Sequence, residues 1–147
     1  LTRSAYLLYN IRMSKISKKI LIAEDSYEWQ KFHSALLKQY DKANLDFTIT
    51  DCAKDALNLV EKNLETTYDL ILTDLQMETD FHPQAAGEWL VQKIKRYRQY
   101  AQIPIVIISA SYNIGFIARS CGVDYLSKRS LINNPDSYFL MLDEKLL

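Results

Sequence analysis

Short apolar runs alternate with longer segments of helical period along this chain. KKILIAED predicts a short buried first strand and DFTITDC a second. YDLILTD predicts the third, apolar enough to be covered on both faces as a central parallel strand must be. IPIVIIS predicts the fourth, with Pro104 at its start where a missing N–H does little harm, and VDYLS a short fifth. Between the strands lie helices. Asp25 followed by Glu28 has capping-box spacing and predicts a start there, with Trp29, Phe32, Leu36, Leu37 and Tyr40 facing the sheet. AKDALNLVEKN predicts the next, with Ala53, Ala56, Leu57 and Val60 inward. A third runs from about Ala86 through GEWLVQKIKRYRQY and buries Trp89, Leu90, Ile94 and Tyr97. NIGFIARSC predicts a fourth that stops at Gly122 in a left-handed cap. The last begins near Asp136 or Ser137 and contains Tyr138, Phe139, Leu142 and Leu146.

Strict strand–helix alternation with right-handed crossovers leaves few topologies. The expected class is α/β: a three-layer, doubly wound (βα)5 sandwich with a parallel five-stranded sheet in the order 2-1-3-4-5, flavodoxin-like. Such sheets bind ligands beyond the carboxyl ends of their strands, where the strand order reverses. Strands one and three flank that point. The side chains that close the strands therefore matter most: Glu24 and Asp25, Asp74, Ser109 and Lys128.

Composition narrows the possibilities. A chain of 147 residues suits one domain that buries its core without disulfides or a structural metal. Eighteen basic residues balance eighteen acidic ones and no basic stripe stands out, so direct nucleic-acid binding is not expected. Cys52 and Cys121 lack ligand spacing and read as small buried hydrophobes in a reducing compartment. No apolar run approaches the roughly 20 residues that span a bilayer, and the opening LTRSAYLLYNIR lacks a signal-peptide pattern. The expected address is cytoplasmic, with no membrane partner. Met13 opens a sensible domain start, so residues 1–12 read as an N-terminal extension and 13–147 as the domain. Tyr6, Leu7, Leu8, Tyr9 and Ile11 can form a short helix against the domain or a partner.

Carboxylates gathered at one sheet edge repel one another: two unit charges at 4 Å oppose by about 4 kcal/mol at an effective dielectric of 20. A hard divalent cation is the usual remedy, and Mg2+ favours one or two carboxylates, waters and phosphate oxygens. Glu24, Asp25, Asp74 and the backbone carbonyl near Gln76 form a candidate set for Mg2+ or Mn2+. Beside such an ion Asp74 is a candidate nucleophile toward phosphorus, since carboxylates form aspartyl phosphates. Lys128 would neutralise the phosphoryl oxygens and Ser109 would hydrogen-bond one of them. Each signal alone is weak. An acid after a strand often only caps a helix, a lysine is usually solvated, and a serine can satisfy its own backbone.

In this order, each at a strand end, these residues resemble the receiver domains of two-component response regulators, over about Ile16 to Leu147. The resemblance implies that Glu24 and Asp25 are the metal-binding acids and that Asp74, in LILTDLQM, is the phospho-acceptor. It makes Ser109-Ala110 the hydroxyl and small-residue pair, Lys128 the lysine, and Tyr125 the aromatic switch that turns inward when Ser109 moves. Gln76 and Ser111 would tune the rate of acyl-phosphate hydrolysis. A histidine kinase or phosphotransfer protein would be the donor, and the switched face would recruit a downstream protein or form a homodimer. Such a protein is a signalling switch, not an enzyme acting on free substrates.

The chain also departs from that pattern. A Pro and a Gly usually follow the acceptor closely, whereas here Glu78 follows Met77 and Gly87 comes late, so ETDFHPQAA is an enlarged loop. Asp80 and His82 there either approach the metal or are solvated. Arg129 replaces a Pro whose preceding peptide is often cis; a non-proline cis bond costs about 2.5 to 4 kcal/mol, which implies another path for Lys128 into the site. The helix between Ser109 and Lys128 is expected to be trimmed. Two alternatives stay open: a phosphorylation-independent pseudo-receiver that serves as an interaction module, and an enzyme of the same architecture. The second lacks a phosphate-cradling Gly-rich loop, since the only glycines are Gly87, Gly115 and Gly122.

Overall fold

The structure, a computed structural model, describes residues 2–13, 15–77, 80 and 85–147, and for residues 9–13 the backbone alone. Five strands form one sheet: β1 (Ser17–Ala23), β2 (Asn44–Thr50), β3 (Leu70–Thr73), β4 (Ile105–Ser109) and β5 (Asp124–Ser127). Every pairing is parallel and the order is β2-β1-β3-β4-β5, as the alternation implied. The helices are α1 (Arg3–Met13), α2 (Tyr27–Gln39), α3 (Ala53–Lys62), α4 (Ala86–Ile94), α5 (Ile114–Cys121), α6 (Lys128–Asn133) and α7 (Asp136–Leu146). A 3-10 turn spans Arg98–Tyr100.

Successive strand residues point to opposite faces, so the central strands must be apolar throughout, and they feed two cores. Leu21, Ala23, Ile71, Ile105 and Ile107 pack with α3, α4 and α5 on one face. Ile20, Ile22, Leu70, Leu72, Val106 and Ile108 pack with α2, α6 and α7 on the other. Nearly all of these strand side chains are fully buried, which fixes the register because a one-residue slip would exchange the faces.

Several local expectations need correction. Ser26, not Asp25, caps α2: its side chain accepts from Trp29 N, one residue later than the capping-box reading. Trp89 is 36% exposed. The inward stripe of α4 is Ala86, Gly87, Leu90, Val91 and Ile94, which leaves Trp89 on the opposite side under the Lys93 ammonium. The helix also ends at Ile94, so Tyr97 lies beyond it, half-buried, and donates to Glu61 Oε2 at 2.5 Å. Both cysteines are only half-buried, and Cys52 is the N-cap of α3, its Sγ accepting from Asp55 N. Gly122 ends α5 at φ 68°, the left-handed cap expected. The polar KRSLIN segment forms the unforeseen α6, and α1 exposes Tyr6, Leu7 and Leu8.

Candidate functional site

Register alone brings the strand-closing residues together. Ala23 pairs with Thr73 across β1 and β3, so Glu24 and Asp74 leave the sheet side by side, and Asp74 N donates to Ala23 O at 2.9 Å. Ser109 pairs with Ser127 across β4 and β5, so Lys128 leaves the same edge one residue later. Asp25, Asp74, Gln76, Ser109, Ala110, Ser111 and Lys128 line one cleft of about 380 Å³ there.

Asp74 is rigidly held. Asp74 Oδ1 accepts from Leu75 N at 2.7 Å, and Thr73 Oγ1 donates to Asp74 O at 2.8 Å. Gly87 N, on the first turn of α4, donates to Leu75 O at 2.9 Å. A Cβ on Gly87 would stand 1.9 Å from Asp74 O, so the late glycine is where the helix touches the backbone of Asp74. The enlarged loop does not displace this contact.

Lys128 enters the site without a cis peptide; none occurs among the described residues. It is 5% exposed, and its Nζ lies 2.6 Å from Asp74 Oδ2 and 2.8 Å from Glu24 Oε2. The indole of Trp29 faces the same ammonium, with Nζ 4.9 Å from the ring centroid. Replacing Pro by Arg129 has not turned the lysine away. Instead the Arg129 guanidinium stacks 3.9 Å from the Tyr112 ring centroid, tying α6 to the loop that follows Ser109.

Glu24 is wholly buried. Its Oε1 accepts from Ser26 N at 3.0 Å, while Oε2 has the Lys128 ion pair but no hydrogen bond of good geometry. Burial first, then the negative Asp74, pushes the Glu24 carboxyl up to about 7, against the pull of Lys128 and the Ser26 N–H. Glu24, Asp25 and Asp74 each offer an oxygen, all within 4.8 Å of one another. Hard oxygen donors and an incompletely satisfied buried oxygen are the chemistry that fits a small divalent cation.

Ser109 is buried, its Oγ donating to Ser111 Oγ and accepting from Ser111 N, both at 3.2 Å. Tyr125 lies outward, 47% exposed, its ring over Gly115. Asp80 does not approach the acids. Its carboxylate accepts from Ala53 N at 2.8 Å and Lys54 N at 3.3 Å, so it caps α3, and His82 lies outside the described residues. Sequence reasoning placed Trp29 in the core and had no signal for its contact with Lys128, because its phase depends on the cap being Ser26. Gly87 did leave a signal: a glycine within the inward stripe of a helix demands a close backbone approach.

Known proteins agree with this geometry. The sequence model of the response regulator receiver domain matches residues 20–134. A hybrid signal transduction histidine kinase of Dictyostelium discoideum is 32% identical over 91 residues, 62% of this chain but only 5% of that protein. Among solved structures, a chemotaxis response regulator of Vibrio cholerae superposes with a TM-score of 0.67 at 20% identity, over 88% of this chain and 99% of that one. The Mn2+-bound response regulator Rcp1 gives 0.64 at 24% identity, over 76% and 81%. The receiver domain of a Pseudomonas aeruginosa sensor histidine kinase, with a magnesium ion in its active site cleft, gives 0.63 at 22%, over 76% and 85%. With the fold matched and most of its length covered by the family model, the chain belongs to the response regulator receiver domains, signalling modules of two-component systems.

Proposed function

We propose that Asp74 accepts a phosphoryl group from the phosphohistidine of a histidine kinase or phosphotransfer protein, with Mg2+ or Mn2+ bound by Asp25, Asp74, Glu24 and the Gln76 carbonyl. The observation that carries this reading is the Lys128 ammonium, 2.6 Å from Asp74 Oδ2 at the wall of a cleft containing the acids. A carboxylate oxygen of Asp74 attacks phosphorus, the N–P bond breaks, and its electron pair stays on the donor imidazole. The cation and Lys128 offset charge on the phosphoryl oxygens, and Ser109, which lines the same cleft, donates to one of them. Relatives described as Mn2+-bound and magnesium-coordinated support the choice of ion, and a relative that is a hybrid histidine kinase supports the choice of donor. The receiver unit in this reading begins at Met13, with residues 1–12 an extension, and Tyr125 is the ring that turns inward on phosphorylation. Arg129 would favour a pseudo-receiver only if it displaced Lys128, and the ion pairs of Lys128 speak against that.

Incubation with acetyl phosphate tests the reading by intact mass. Wild type is expected to gain one phosphoryl group with Mg2+ and none with chelator, and Asp74→Asn none in either. A wild type that stays unmodified and binds no beryllofluoride would instead mark a pseudo-receiver; steady turnover of free phosphate esters would mark an enzyme.

A further inference from the structure

We propose that Trp29 is a positioning residue for Lys128, and through it for the phosphoryl group; this rests on the phospho-acceptor reading above. Two kinds of group contact the ammonium of Lys128 among the described residues: the carboxylates of Asp74 and Glu24, and the face of the Trp29 indole. The carboxylates are also the groups that a divalent cation draws on and that phosphorylation alters. Their hold on Lys128 therefore weakens as the site is loaded. The indole is neutral, is no metal ligand and leaves the N–H directions of the ammonium available to phosphoryl oxygens. Its attraction for the cation persists through the cycle and grows as water is excluded.

The ring is mounted to do this. Trp29 stands on the first turn of α2, and its N–H donates to Ser26 Oγ, so the residue next to Asp25 sets the phase of the indole. Gln30 Nε2 donates to Glu24 O at 2.6 Å and binds the acid loop to the same turn. Behind the indole, Phe32 meets it edge-on with centroids 4.8 Å apart, and Phe32 meets Tyr138 of α7 at 6.0 Å. Tyr138 is fully buried and its hydroxyl lies 2.7 Å from His33 Nδ1. Two helices thus hold one ring against one ammonium.

Beryllofluoride affinity, measured by calorimetry on the full chain at saturating Mg2+, tests the role. Trp29→Phe is expected to weaken it about threefold and Trp29→Leu about tenfold or more, following the loss of cation–π strength. Mg2+ affinity without fluoride should stay within about twofold in both, since the indole meets the ammonium and is no metal ligand. A ring that only fills space would weaken both ligands alike, or make Leu and Phe equivalent, and either outcome overturns the proposal. A second arm needs no ligand. In a Trp89→Phe background Trp29 is the sole tryptophan, and Lys128→Met is expected to change its emission intensity. Unchanged emission would mean that the stack does not exist in solution. If wild type binds no beryllofluoride, the phospho-acceptor reading itself fails; if it binds and Trp29→Leu binds equally well, only the positioning role fails.

Discussion

The two faces of the sheet are built differently. Against α3, α4 and α5 the core uses small residues, Ala53, Ala56, Ala86, Gly87 and Ala118, which let helices lie close to the sheet. Against α2 and α7 the aromatic side chains stand on the helices or at their ends, Trp29, Phe32, Tyr40, Tyr138 and Phe139, with His33 bonded to Tyr138, whereas the tyrosines of the first core, Tyr68 and Tyr100, come from outside α3, α4 and α5. The first face meets the backbone of Asp74 and Leu75 at Gly87. The second fixes where the lysine ammonium is. Backbone placement is achieved by close approach and side-chain placement by directional contacts.

Substitutions that attack each face should separate the two devices. Gly87→Ala has the largest expected effect, because its methyl overlaps the Asp74 carbonyl; unfolding in urea should show a loss of about 4 kcal/mol or more. A loss below about 1 kcal/mol would show that α4 slides freely on the acceptor loop. On the other face, Tyr138→Phe leaves His33 Nδ1 without its buried partner and should lower stability by about 1 to 3 kcal/mol. Pairing it with His33→Leu should recover part of that loss in a double-mutant cycle.

Acid sharpens the contrast further. Burial, aided by the positive charge of Lys128, pushes His33 from its ordinary 6.5 down to about 3, so the folded protein keeps it neutral where the unfolded chain protonates it. The unfolded state then binds more protons, and stability falls as pH drops below about 6.5, by up to about 1.4 kcal/mol per unit. Glu24 acts with the opposite sign, since its folded carboxyl at about 7 takes a proton before the unfolded one at 4.5. In metal-free buffer the two slopes offset each other between about pH 6.5 and 4.5. Glu24→Gln should unmask the His33 slope in denaturant melts across that range, and a flat profile in this variant would contradict the burial of His33. The smallest effect belongs to Asp80→Ala, which removes the carboxylate cap of α3 and should cost about 1 kcal/mol in thermal melts while leaving Mg2+ affinity unchanged.

The strands and their order were legible because central parallel strands must be continuously apolar, and IVIIS or LILT admits no other burial. The convergence of these side chains was legible for the same reason: Glu24, Asp25, Asp74 and Lys128 each follow a recognisable strand, Ser109 closes one, and parallel register brings them to one edge. What escaped depended on single-residue phase or on distant partners. A cap at Ser26 instead of Asp25 rotates the reading of α2, and an inward stripe that begins at Ala86 and Gly87 turns Trp89 out. Asp80 finds its partners on a helix that precedes it by more than twenty positions in the chain, a pairing no local pattern encodes. In α6 only Lys128 and Leu131 are buried, too few apolar positions for helical periodicity to register.

Gly115 carries a consequence for Tyr125. A methyl at that position would sit 3.1 Å from the phenol oxygen, tighter than ordinary van der Waals contact, so the absence of a side chain on α5 is what gives the ring its outer berth. Adding a single carbon at residue 115 would crowd that rotamer alone and leave Asp74, Ser109 and Lys128 in place. The outward setting of one phenol can therefore be altered from a helix surface, one atom at a time, without touching the cleft that holds Asp74 and Lys128.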